Sequence, residues 1–310
     1  MKKIFIEIPT WLGDAIMTTP AIQNIVKLYP DIKITLFGSN ISLTALKYHP
    51  NVEQIVIDES KKSYIRALWL YKKAKSLPTF DASFSFRNRL YPKLLQLFLN
   101  SKQKFIYKRY TKKSRHQAKR YNDFINRSLK KELSCGKLKL YIDKHNYNRP
   151  TLGINPGATY GSAKRWYPDR FADVATKLSS KYDIVIFGGP NEVEIAKDIE
   201  DILKQNSITN FQNLAGKTTI EELISHIAGV ELFITNDSGP MHIAAAYGVK
   251  TVALFGPTKD DETSPWNNPN AKIIKHDLEC APCMKRVCPL KTHECMKLIT
   301  AKEVISFSSY

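Results

Sequence analysis

Short runs of branched and aromatic residues recur along the first half of the chain, at Ile4–Ile8, Ile32–Phe37, Val52–Ile57 and Phe80–Phe86. Between them apolar residues return every three or four positions, as in Pro20–Leu28 and Tyr64–Lys75. Runs of the first kind suit strands buried in a sheet; the second period suits helices lying on it. Their alternation predicts βαβ units and a parallel sheet. Residues 90–131 read as mainly helical, with an apolar cluster at Leu94, Leu95, Leu97, Phe98 and Leu99, and the polar stretch 134–150 reads as a linker. The second half repeats the alternation. Strands are predicted at Leu152–Asn155, Ile184–Phe187, Leu232–Thr235 and Thr251–Phe255, and helices at Pro168–Lys181, Glu192–Lys204, Ile220–Ala228 and Met241–Tyr247. Pro168 suits a first helical position, and Asp169 and Asp173 suit the positive end of a helix. The expectation is an α/β protein of two doubly wound domains in tandem. Ligands of such domains sit at the carboxyl ends of the strands and in the inter-domain cleft.

The length of 310 residues agrees with two domains. With 43% apolar and 25% charged residues the chain carries enough apolar surface for packed cores. No apolar run approaches the ~20 residues of a membrane-spanning helix. Glu7, Pro9 and Gly13-Asp14 interrupt any apolar run after Met1-Lys2-Lys3, so the start reads as a first strand rather than a signal peptide, and the protein as cytoplasmic. Charge changes the picture more. The net charge is +18, but residues 1–150 hold 30 Lys/Arg against 10 Asp/Glu, and residues 151–310 hold 17 against 19. Two domains with different partners are implied, the first facing nucleic acid, phospholipid headgroups or an acidic saccharide.

Three turns carry candidate chemistry. Pro9-Thr10-Trp11-Leu12-Gly13-Asp14 comes after the first strand and places Asp14 near a helix start, where it either caps the helix or faces a ligand. It lacks the glycine spacing of a dinucleotide loop. Asn155-Pro156-Gly157-Ala158-Thr159-Tyr160-Gly161-Ser162-Ala163-Lys164-Arg165-Trp166 joins a strand to a helix. Its backbone N–H groups, hydroxyls, Lys164 and Arg165 suit a diphosphate, although a solvated basic turn reads the same way, and it is not a Walker loop. Asn236-Asp237-Ser238-Gly239-Pro240-Met241-His242 opens a helix of small residues. Asp237 and Ser238 suit sugar hydroxyls, the amides of Ser238 and Gly239 suit an anion, and His242 lies one turn in. Phe255-Gly256-Pro257-Thr258 ends the next strand.

These blocks, in this order and over essentially the whole chain, resemble the ADP-heptose:lipopolysaccharide heptosyltransferases of glycosyltransferase family 9, most of all the heptosyltransferase II branch. The resemblance implies a GT-B fold, ADP-heptose as donor, and inversion at the anomeric carbon. It implies Asp14 as general base, Lys164 on the donor diphosphate with Thr159 nearby, and Glu192 by the nucleoside ribose. It also implies Asp237, Ser238 and Gly239 at the donor sugar and phosphate with His242 alongside, and Lys217 and Thr218 near the adenine. It implies a lipid A-linked inner-core saccharide as acceptor, reached at the cytoplasmic face of the inner membrane by a monomer. No D-x-D occurs, which argues against an obligatory catalytic metal. The expected domains are 1–148 for the acceptor and 149–299 for the nucleotide sugar, with the tail 300–310 packing back on the first domain.

Residues 102–120 carry nine Lys/Arg and no acid, interleaved with Phe105, Tyr107 and Tyr110. A solvated face and single-stranded nucleic acid are two readings. The resemblance adds a third, in which Lys108, Arg109, Lys112, Lys113, Arg115, Lys119 and Arg120 grip the anionic acceptor or the acidic leaflet; on this reading nucleic acid is not a partner. Four cysteines cluster as Cys280-x2-Cys283-x4-Cys288-x6-Cys295. Structural zinc, with His293 as a further ligand, reduced thiols and disulfides all remain open. Cys135 stands alone.

Overall fold

A computed structural model of the chain describes residues 1–308. The chain divides into two compact units, Met1–Tyr141 and Ile142–Tyr310.

The first unit runs β1 (Lys3–Glu7), α1 (Leu12–Met17), α2 (Thr19–Leu28), β2 (Lys33–Gly38), α3 (Asn40–Leu46) and β3 (Val52–Ile57). It continues with α4 (Arg66–Lys75), β4 (Phe80–Ser85), α5 (Leu90–Phe98), β5 (Ser101–Ile106) and α6 (Gln117–Leu129). Its sheet is parallel throughout, in the order β3-β2-β1-β4-β5. The order reverses between β1 and β4, which opens a crevice at their carboxyl ends. β1 is buried on both faces, as a central parallel strand must be, and Phe5 packs on the rings of Phe37 and Phe80.

The second unit runs β6 (Thr151–Asn155), α7 (Pro168–Leu178), β7 (Asp183–Ile186), α8 (Val193–Gln205), β8 (Phe211–Asn213) and α9 (Ile220–Gly229). Then come β9 (Leu232–Asn236), α10 (Gly239–Tyr247), β10 (Lys250–Leu254), α11 (Asp260–Thr263), β11 (Ala271–Ile274), α12 (Glu294–Lys297) and α13 (Ala301–Ser308). The parallel sheet has the order β11-β10-β9-β6-β7-β8 and reverses between β6 and β9. Pro168 does open α7, and Thr219 and Glu222 close a capping box at the start of α9.

The alternation read from the sequence holds, with three strands added. β5, β8 and β11 lie at sheet edges or ends. β5 reads Ser-Lys-Gln-Lys-Phe-Ile with its first lysines exposed, the charged composition of a protected edge and not of a core strand. It displaces the helix expected there. The stretch expected as a linker has no regular structure but is tied down. Leu138, Leu140 and Ile142 are buried, the Lys139 N–H donates to Thr19 Oγ1 at 3.1 Å, and Tyr247 OH donates to the Ile142 carbonyl at 2.6 Å. The division between units falls at 141/142, within this strap, where 148/149 is the sequence expectation. The tail, expected on the first domain, forms α13, which packs on α7 and β10 of its own unit, with Val304 buried and the Ser308 carbonyl accepting from Lys250 Nζ at 2.7 Å.

Candidate active site

In the first unit the turn after β1 delivers Asp14 to the third helical position of α1. The N-cap is Trp11, which makes no side-chain cap bond, so Asp14 is not the capping residue. Asp14 is half-buried, and Tyr121 OH from α6 donates to its Oδ1 at 3.4 Å. Tyr121 is buried, and burial followed by the Asp14 charge holds its phenol well above the ordinary range, so it remains a donor. Tyr107 packs on Tyr121 with ring centroids 5.3 Å apart and is pushed up by burial too. A carboxylate held by a protonated phenol at a strand's carboxyl end can accept a proton from a substrate hydroxyl.

At the same end of the sheet lies a network the sequence reading missed. Glu7, the last residue of β1, is buried; it accepts from Ser85 Oγ at 2.5 Å and pairs with Arg87 Nη1 at 3.2 Å. Asp58 faces Arg87 at 3.9 Å and Arg66 at 3.6 Å. Burial outweighs the arginine and pushes the Glu7 carboxyl up to about 7. The only sequence signal is an acid inside an otherwise apolar strand.

The second unit brings two of the predicted turns together at its β6/β9 crevice. Asn155, at the end of β6, donates to the Gly157 carbonyl, to Thr235 Oγ1 and to Ser238 Oγ at 3.1–3.3 Å. Asn236, at the end of β9, donates to the Pro156 carbonyl at 2.7 Å and accepts from the Trp166 N–H at 3.1 Å. Across this brace Lys164 Nζ meets Asp237 Oδ2 at 2.5 Å and the Asp237 carbonyl at 3.0 Å, while Thr258 Oγ1 donates to the same Oδ2 at 2.6 Å. Ser238 N-caps α10 and Gly239 is its first residue, so the helix amides open beside this knot; His242 is buried one turn in. Asn155, Asn236 and Thr258 carried no assigned role in the sequence reading.

Glu192 sits in the turn after β7, buried, with Oε2 accepting from the Gly189 N–H at 2.9 Å. It closes directly on Gly157: a Cβ there would lie 2.0–2.2 Å from the carboxylate, so only glycine fits. The Lys217–Thr218 turn is tied to the same place by the Gly216 N–H, which donates to the Gly188 carbonyl at 2.9 Å. Lys164, Glu192, Asp237, Ser238 and Gly239 are thus held by one connected set of turns, with Lys217 and Thr218 beside it. Thr159 is the exception, exposed at the tip of its loop and outside the network.

The cysteine segment braces this loop. Cys280, Cys283, Cys288 and Cys295 are free thiols around one small cavity with Ala163 and Pro257. The Arg286 carbonyl accepts from the Ala163 N–H at 3.0 Å, and the Met284 N–H donates to the Pro257 carbonyl at 2.8 Å. His293 is not a spare ligand. Its Nε2 donates to the Ala163 carbonyl at 2.9 Å, which leaves Nδ1 to accept from Tyr167 OH at 2.9 Å. Among the described residues no group of three or more His, Cys, Asp or Glu is arranged to hold a metal.

The basic segment is divided by the fold. Lys108, Arg109, Lys112 and Lys113 lie exposed on the loop after β5, and Lys119 lies exposed on α6. Arg120 is buried, whereas Arg115 pairs with Asp123 at 2.6 and 2.8 Å and keeps part of its side chain exposed. Between the loop and the end of α6 lies a concavity of about 740 Å³. Its cations are Lys113, Arg115, Arg127, Lys130 and Lys131, three of them outside the segment singled out from sequence.

The sequence pattern of glycosyltransferase family 9 (heptosyltransferase) matches residues 84–293. Lipooligosaccharide heptosyltransferase 2 of Campylobacter jejuni is 44% identical over 312 residues, covering 98% of this chain and 96% of that one. The chain belongs to glycosyltransferase family 9. It is therefore an enzyme, a glycosyltransferase of the heptosyltransferase family. Among solved structures, E. coli ADP-heptose LPS heptosyltransferase II matches at a TM-score of 0.80 and 23% identity, over 100% of this chain and 98% of that chain. E. coli heptosyltransferase WaaC with ADP matches at 0.79 and 16%, over 99% of each. The two units are the two Rossmann-like domains of the family's GT-B fold.

Proposed function

We propose that this enzyme moves heptose from ADP-L-glycero-β-D-manno-heptose to the inner core of lipopolysaccharide or lipooligosaccharide, adding the second heptose to the first with inversion. The observation that carries the reading is the Lys164–Asp237–Thr258 knot beside the opening of α10. Two of the ammonium's three protons go to Asp237, and the third suits a phosphate oxygen. The 44% identity to the Campylobacter jejuni relative supports the choice of acceptor.

On this reading the acceptor hydroxyl attacks C1 of the donor sugar, and the C1–O bond to the diphosphate breaks on the opposite face. Asp14 takes the hydroxyl proton, with Tyr121 holding its carboxylate in line. ADP leaves with growing negative charge, which Lys164 and the α10 amides offset. Glu192 holds the ribose, and Lys217 and Thr218 lie at the adenine. No metal enters any step. The exposed lysines of the loop after β5, with Arg127, Lys130 and Lys131, meet carboxylates and phosphates of the acceptor. The enzyme works as a monomer at the cytoplasmic face of the inner membrane.

The test is ADP release from ADP-heptose in EDTA, with core acceptors carrying no heptose or one. Turnover confined to the one-heptose acceptor supports the reading. Turnover on the heptose-free acceptor makes it the enzyme of the first heptose, and a need for added metal refutes the ionic account of diphosphate departure.

A further inference from the structure

Helices α4 and α5 lie side by side on one face of the first unit's sheet, and each is apolar on two sides. Inward, Leu70, Ala74 and Leu95 join the core of Phe5, Phe37 and Phe80. Outward, Tyr64, Ile65, Leu68 and Tyr71 run as i, i+1, i+4, i+7 into α4, and Leu90 and Leu97 stand seven apart on α5. Ile65, Leu90 and Leu97 are 61%, 65% and 69% exposed, and Tyr64 is wholly so. Contacts make the pair one surface: Tyr71 meets the Phe98 ring edge-on at 5.4 Å, and Arg66 lies 3.9 Å from the Tyr91 ring centroid.

A helix bathed in water needs one apolar stripe, and a second that nothing covers marks an interaction surface. Charge selects the partner. Between residues 60 and 122 the chain holds 18 Lys/Arg and one acid, Asp81. Asp81 is itself engaged by Lys102 at 3.0 Å and by the backbone of Lys2 at 2.7 Å. Lys61, Lys62, Lys72, Lys75 and Lys93 are exposed around the apolar stripe. Such a field repels a second copy of the chain, and leucines pointing outward find no partner in a phosphate backbone. Tyrosine and leucine ringed by lysine match the layered chemistry of an acidic bilayer surface.

We propose that the α4–α5 face docks on an anionic bilayer, its leucines and tyrosines entering the headgroup region and its lysines meeting acidic headgroups. This deepens the functional reading and rests on it only for the acceptor being lipid-borne. The geometry places docking on these helices, whereas the sequence pattern pointed to the loop beyond β5.

The experiment is sedimentation of the full chain with phosphatidylglycerol vesicles and with phosphatidylcholine vesicles, at low and physiological salt. Binding is expected to the first only, and weaker as salt rises. Lys72→Gln with Lys75→Gln and Lys93→Gln should lower partitioning on the order of a hundredfold. Leu68→Ser with Leu97→Ser should lower it roughly tenfold or more at unchanged charge. Every side chain replaced lies on the outer side of its helix, so melting temperatures should hold and show that the variants fold. Turnover should fall on vesicle-embedded acceptor and stay unchanged on a delipidated, water-soluble one. Absence of binding to phosphatidylglycerol overturns the proposal, as does binding that both variants retain. A dimer in light scattering that the leucine variant dissociates also overturns it, making the face a protein interface. If the wild type binds vesicles but does not turn over the soluble one-heptose acceptor, the substrate reading has failed while the docking surface stands.

Discussion

Replacing Gly157 with alanine would put a methyl carbon inside the Glu192 carboxylate, 2.0 Å from Cδ and 2.2 Å from each oxygen. Ordinary contact needs roughly 3.5 Å, so the carboxylate must move by more than an ångström. Glu192 is buried and its Oε2 is bonded to the Gly189 N–H at 2.9 Å, so the movement breaks that bond. A hydrogen bond to a charged group is worth about 1.5–3 kcal/mol. Gly157→Ala should therefore destabilise the second unit by about 2 kcal/mol. If Glu192 holds the donor ribose, affinity for ADP should fall by roughly tenfold or more. Urea unfolding and calorimetric titration with ADP read the two effects. The decisive measurement is the same substitution in a Glu192→Ala background. There the obstruction is gone, and alanine should be neutral, or stabilising by up to about 1 kcal/mol through the unfolded chain. The interaction free energy of that cycle should be about 2 kcal/mol. An equal loss in both backgrounds would refute the argument and place the constraint in the backbone at 157.

Asp14→Asn should lower kcat by roughly a hundredfold to ten-thousandfold while ADP affinity stays within twofold; an equal loss in binding would make Asp14 a binding residue. Lys164→Met leaves the Asp237 carboxylate buried without its cation and should cost about 3 kcal/mol in urea unfolding, with part recovered by adding Asp237→Asn; unchanged stability would remove the pair from the site's framework. Glu7 makes a pH prediction of definite sign. Its carboxyl ionises near 4.5 when exposed but at about 7 when folded, so the folded chain binds the extra proton and stability falls as pH rises from about 4.5 to about 7. The loss is roughly 3 kcal/mol, and Glu7→Gln should remove that slope; a parallel pH profile in the variant would contradict it. Lys112→Gln with Lys113→Gln should raise the acceptor KM severalfold and leave ADP affinity alone, and a shift in ADP affinity instead would disprove the assignment of that loop.

Hydrophobic period by itself determined that this is an alternating α/β chain of two parallel sheets, because central strands of such sheets are buried on both faces and must be written in branched and aromatic residues. Motif order alone pointed to the family, since the turns at Gly13-Asp14, Gly157 to Lys164 and Asp237 to Gly239 lie where parallel strands end. Three of the four edge strands, β5, β8 and β11, were invisible in the same pattern: Lys102, Gln103 and Lys104 face water on β5 and carry no strand-like period. Only the tertiary structure decided which polar residues meet. Lys164 and Asp237 are 73 positions apart and pair because β6 and β9 are neighbours at the reversal of the sheet, and Thr258 joins them from the end of β10. The same holds for Glu192 against Gly157, for Arg120 turned into the core, and for His293 spent on bracing a loop. A sequence records a side chain's chemistry, but whether that side chain is solvated, paired or buried depends on strands brought together from far along the chain.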